Sequence, residues 1–156
     1  MNWAEDAESW RFILFRYLPR LAVASLVWEI AQLPLYTLSQ NPHLEQIAFA
    51  VAHCTLGDAL IGAGAIVSAL VLSRAPRRKD WPASRIVTIT ISLALTYTAL
   101  SERINLALEN WTYAAAMPIV PWLEVGLAPL LQWFVVPLVA WHWATQRTPL
   151  ATAHES

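Results

Sequence analysis

Four long apolar blocks organise the chain, at about 14–38, 47–72, 86–109 and 125–144, each near or above the roughly 20 residues an α-helix needs to cross a hydrocarbon core. The segments between them carry turn or charge chemistry. Thr37 to Gln46 contains Asn41-Pro42 and no Lys or Arg, whereas Ser73 to Arg85 contains Pro76 and Pro82 with Arg74, Arg77, Arg78, Lys79 and Arg85. Trp111 to Leu123, with Met117-Pro118 and Pro121, reads as an irregular interfacial stretch. The pattern predicts an all-α fold: an integral membrane bundle of four transmembrane helices, a single transmembrane domain over residues 1–156, with that irregular segment between helices 3 and 4.

Polar residues interrupt each block on a helical spacing. Glu29, Gln32 and Tyr36 recur at i, i+3 and i+7 and share one face of the first helix. The second block holds His53, Cys54 and Asp58, with Gly57, Gly62 and Gly64 suited to close helix approach. Thr98, Ser101, Glu102, Asn105 and Glu109 line the end of the third, and Pro129, Gln132, Trp133 and Pro137 the fourth. At about 1.5 Å per residue, Glu29, His53, Glu102 and Gln132 fall roughly 9 to 13 Å below the outer helix ends, with Asp58 a turn deeper. Four helices thereby contribute polar groups to one layer.

Composition agrees with the membrane class: 57% of residues are hydrophobic, 13% are charged and nine are Trp, too apolar for an ordinary soluble domain. Net charge is −1, and no basic face or motif points to nucleic acid. The N-terminal lead sets Arg11, Arg16 and Arg20 among Trp10, Phe12, Phe15 and Tyr17 and reads as a retained interfacial anchor. A cleaved signal peptide is disfavoured because Trp28, Glu29 and Gln32 interrupt the apolar run and no small-x-small site follows. Every Lys and Arg except Arg103 lies in this lead, in the second loop or in the tail. That bias predicts a multi-pass protein of the cell inner (plasma) membrane with both termini cytoplasmic. Arg103, on the other side, calls for a carboxylate, with Glu102, Glu109 and Glu29 as the available partners.

Ionisable groups at membrane depth are expensive and mark sites by default. Glu29, His53, Asp58 and Glu102 are the candidate catalytic residues, since carboxylates and imidazole in a low-dielectric pocket exchange protons as general acid and base. Gln32, Tyr36, Ser101, Arg103, Asn105, Gln132 and Trp133 are the candidate substrate-binding residues. The same polar groups also serve as interhelical glue. Oxygen and nitrogen donors of this kind also suit a divalent metal, but no spacing fixes one, so metal and cofactor stay unassigned. Glu102-Arg103, Asn105 and Glu109-Asn110 resemble the Arg/Asn/Glu motif of the MAPEG family, small four-span enzymes that bind glutathione and act on lipophilic substrates. The Arg–Asn spacing is shorter here and the motif falls on the third span, so membership is not assigned. The reading is a small polytopic protein with a polar site in its outer half, binding or transforming a membrane-soluble small molecule by acid/base chemistry. The alternative is a non-catalytic subunit or assembly factor that contacts other membrane proteins. Expected partners are the lipid bilayer, a membrane-soluble small molecule, and a second copy or another membrane protein.

Overall fold

The computed structural model describes residues 2–40 and 43–146; the Asn41-Pro42 turn and the polar tail from Arg147 to Ser156 lie outside the described residues. The chain is mostly helical. Helix α1 (Ala7–Phe12) runs through a π turn (Ile13–Tyr17) into α2 (Leu18–Gln32), and α3 (Leu44–Leu72), α4 (Ala83–Ala107) and α5 (Leu127–Thr145) follow. Three of these, α3, α4 and α5, are long and apolar enough to cross a membrane. The first apolar block falls short as a single α-helix because the π turn divides it.

That π turn has a local cause. Pro19 lacks an amide hydrogen and its ring crowds the carbonyl four residues earlier, and a widened turn immediately before it relieves the crowding. The Arg20 guanidinium donates to the Arg16 carbonyl at 2.8 Å beside it. At the other end, the expected helix to residue 38 stops at Gln32, because Pro34 admits only 3₁₀ turns at Leu33–Leu35 and Thr37–Gln40.

The long helices pack as a ring: α2 against α3 and α5, α4 against α3 and α5. The end containing the basic loop is filled with side chains. Tyr17, Leu21, Ile66, Leu70, Ile86, Val136 and Ala140 form one buried cluster with Trp3, Phe12 and Trp81. The N-terminal lead is therefore not a surface anchor alone. Phe12 meets Trp81 and Trp141 edge-on, at ring-centroid distances of 5.7 and 5.3 Å. The Arg78 guanidinium lies 4.0 Å from the Phe12 ring centre and 4.8 Å from that of Trp81, a cation–π arrangement that straps the basic loop to the helix ends. Burial lowers the pKa of Arg78, and the nearby charge of Arg16 acts in the same direction. The carboxylate of Asp6 accepts the backbone N–H of Arg78 at 2.9 Å and the Ser9 hydroxyl at 2.7 Å. Those bonds hold its pKa below the usual carboxylate value.

Of the three glycines expected to admit a neighbour, one does so. A Cβ on Gly62 would stand 2.6 Å from Leu21 Cδ2, whereas Gly57 and Gly64 face open space.

The irregular segment after α4 is more ordered than expected. Strands β1 (Ile119–Val120) and β2 (Val125–Gly126) pair antiparallel, and Tyr36 forms an isolated antiparallel bridge with Tyr113. The Thr37 N–H donates to the Thr112 carbonyl at 3.1 Å and the Ala114 N–H to the Leu35 carbonyl at 2.9 Å. This roof joins the chain after α2 to the chain after α4.

Candidate functional site

Below the roof, where the tightly packed end gives way, the helices line a partly open cavity of about 580 Å³. Its walls come from the C-terminal ends of α2 and α4 and the N-terminal parts of α3 and α5. Glu29, Gln32, Tyr36, His53, Asp58, Ser101, Glu102, Asn105, Gln132 and Trp133 all line it. Arg103 does not. It faces outward and meets Glu124 at 3.3 Å, both side chains being more than half exposed, so the carboxylates expected to pair with it are corrected to one on the roof. The reason is angular: Arg103 is one residue past Glu102, and about 100° per residue carries it off the cavity face.

The deepest contacts join three helices. Gln132 Nε2 donates to Asp58 Oδ2 at 2.5 Å and to Glu29 Oε1 at 3.3 Å. Gln32 Nε2 donates to Glu29 Oε1 at 2.9 Å, and its own Oε1 accepts the Trp28 indole N–H at 3.1 Å. Gln32, Asp58 and Gln132 are buried. The two glutamine amides thus tie both carboxyl groups to the helices around them.

Glu102 forms a second station. Its carboxylate accepts the Tyr113 hydroxyl hydrogen, and the Trp111 indole N–H at 3.4 Å. The Tyr113 oxygen in turn accepts the Gly126 N–H at 3.0 Å. Burial first, and then the bond to Glu102, raise the pKa of the Tyr113 phenol, so it remains a donor at neutral pH. Gly126 leaves room for this contact: a Cβ there would lie 2.8 Å from Met117 Sδ and 3.1 Å from Tyr113 Cζ. Asn105 turns partly inward on its own helix, donating to the Ser101 carbonyl at 2.8 Å and accepting from Asn110 at 2.7 Å.

His53 stands apart from these stations. It is exposed on the rim and stacks on Phe49, with ring centroids 5.7 Å apart. Cys54, the lone cysteine, is half-buried in the wall. Among the described residues no three His, Cys, Asp or Glu side chains are grouped to hold a metal ion.

Sequence periodicity assigns no face to Trp111 and Tyr113, because they sit in an irregular segment. Their only sequence signal is aromatic residues with polar tips beside a proline-rich run. Comparison with known protein families, with curated proteins and with solved structures found no match to this chain.

Proposed function

We propose that this chain is a four-span membrane protein of the cell inner membrane that holds a membrane-soluble small molecule in this cavity and exchanges protons with it through Glu29, Asp58 and Glu102. The observation that carries the reading is convergence: polar groups placed independently on four helices line one cavity. The unbroken helical run from Ala7 to Gln32 is long enough, at about 1.5 Å per residue, to serve as the remaining span. Basic residues at the Arg74–Arg85 end favour a cytoplasmic placement of that end, which puts the cavity in the outer half. His53 at the rim suits proton delivery from the outside more than a role at the deep station.

Purification in mild detergent, extraction and mass spectrometry test the proposal. A small molecule retained by the wild type and lost from Glu102→Gln and Asp58→Asn, with helix content and melting temperature preserved, is the expected result. Unchanged retention with a lowered melting temperature would instead assign these carboxyls to interhelical glue.

A further inference from the structure

The packed end of the bundle, away from the cavity, is strongly basic. Residues 3–20 and 73–85 meet there and carry eight Lys or Arg against four Asp or Glu. Three of these cations are held against the last turns of α5. The Arg16 guanidinium donates to the Gln146 carbonyl at 2.7 Å, and Arg20 lies 5.3 Å from the Trp143 ring centre. Arg78, already stacked on Phe12 and Trp81, lies 5.8 Å from the ring centre of Trp141. Arg78 is fixed but its donors are unspent: among the described residues its guanidinium forms no hydrogen bond or ion pair. Stacking occupies the faces of the guanidinium plane and leaves its N–H edge for an acceptor, and a phosphate matches that planar fork.

Arg16 stands close enough to depress the Arg78 pKa, and its effect exceeds the opposing one of Glu8. Among the described residues no carboxylate pairs with either guanidinium; Asp6 accepts the Arg78 backbone N–H and the Ser9 hydroxyl instead. Two like charges this close repel, and an anion shared by both turns the repulsion into attraction. The surroundings identify the kind of anion. Phe15, one residue before Arg16, is 73% exposed and Leu14 is exposed beside it, while Trp10 and Trp143 are exposed at the same end. Cations among aromatic rings at the end of a spanning bundle lie at the headgroup level of a bilayer, where basic clusters bind anionic lipid headgroups. We propose that Arg16 and Arg78 form a binding site for an anionic phospholipid. Both guanidiniums donate to its phosphodiester, and its acyl chains run along the exposed Leu14 and Phe15 side chains.

Native mass spectrometry of the full chain in nonionic detergent tests the site, with dioleoylphosphatidylglycerol and dioleoylphosphatidylcholine added in equal amounts. The chain should retain phosphatidylglycerol about tenfold or more over phosphatidylcholine, and Arg16→Gln and Arg78→Gln should each weaken that retention about tenfold or more, the worth of a hydrogen bond to a charged group. Arg77→Gln removes the same charge from an exposed neighbour and should change retention by only about twofold. Arg78→Gln also removes the stack on Phe12, so Arg16→Gln, which leaves that stack in place, carries the test if the Arg78 variant fails to fold. Unchanged retention in Arg16→Gln overturns the site, and an equal loss in all three variants replaces it with diffuse surface charge. Equal retention of phosphatidylcholine, or no retained lipid, overturns the anionic headgroup. Displacement of the lipid by glycerophosphoglycerol, the same headgroup without acyl chains, at matching concentration overturns the lipid in favour of a free phosphodiester.

Discussion

Asp58 and Gln132, 74 residues apart in the chain, meet at 2.5 Å in the wall of the cavity. Both are buried, so the contact joins α3 to α5 where neither side chain has ready access to bulk water. The same amide reaches Glu29 at 3.3 Å, and truncating it leaves two carboxyl groups short of a donor.

Gln132→Leu is therefore expected to destabilise the protein by about 1–3 kcal/mol, the range for orphaning a buried polar partner. Replacing both partners by apolar residues is much less damaging than replacing one, so Gln132→Leu with Asp58→Leu should recover part of the loss. Denaturation in detergent, arranged as a double-mutant cycle, measures the coupling. Simple additivity of the two changes would show that the contact contributes nothing.

The glycines of α3 separate by what stands opposite them. Gly62→Ala drives a methyl to 2.6 Å from Leu21 Cδ2, and Leu21 is fully buried, so the core must repack at about 1–3 kcal/mol. Gly64→Ala meets nothing within 4 Å and should be neutral or stabilising by up to about 1 kcal/mol through helix propensity. Thermal melts of the two single variants give the comparison, and equal melting temperatures would refute the packing argument.

Helix positions were legible because long apolar blocks and a helical spacing of polar residues are properties of sequence alone. Depth arithmetic along four helices puts Glu29, His53, Glu102 and Gln132 in one layer with Asp58 a turn deeper; all five line the cavity, but His53 is exposed at its rim rather than beside the carboxyls. What escaped is what depends on rotation or on irregular backbone. Glu102 and Arg103 are adjacent, and only packing decides which of them faces inward. Gly57, Gly62 and Gly64 look alike in sequence, yet Leu21 opposes only the middle one. The Tyr36–Tyr113 bridge pairs two segments far apart in the chain that have no strand pattern, and the π turn before Pro19 is a local response that the apolar pattern does not mark.

Asp6, at the start of the first helix, gives an acid-side prediction. Its bonds to the Arg78 N–H and the Ser9 hydroxyl hold its folded pKa below the ordinary value, about 3.9 in an unfolded chain. A group depressed in this way stabilises the fold above its unfolded pKa and loses that contribution as pH falls through the folded one. The melting-temperature gap between wild type and Asp6→Asn should be constant above about pH 5 and shrink as the pH falls below about 4. A gap that widens on acidification would reverse the sign and remove Asp6 as an anionic anchor.

Orientation is the remaining expectation, and the structure sharpens how to test it. Arg103, the one cation at the cavity end by sequence, is matched by Glu124 at 3.3 Å, so the pair adds no net positive charge there. The Arg74–Arg85 end carries Arg74, Arg77, Arg78, Lys79 and Arg85, and such a bias in a short loop favours the cytoplasmic side. Arg78 is a poor labelling position because its guanidinium stacks on Phe12 and Trp81. Arg77 is exposed, and Trp122 on the opposite end is 83% exposed. In a Cys54→Ser background, a membrane-impermeant maleimide should label Trp122→Cys in intact cells and Arg77→Cys only after permeabilisation. The reverse pattern would place the cavity on the cytoplasmic side, and labelling of both positions in intact cells would mean that the chain does not separate these ends across a membrane.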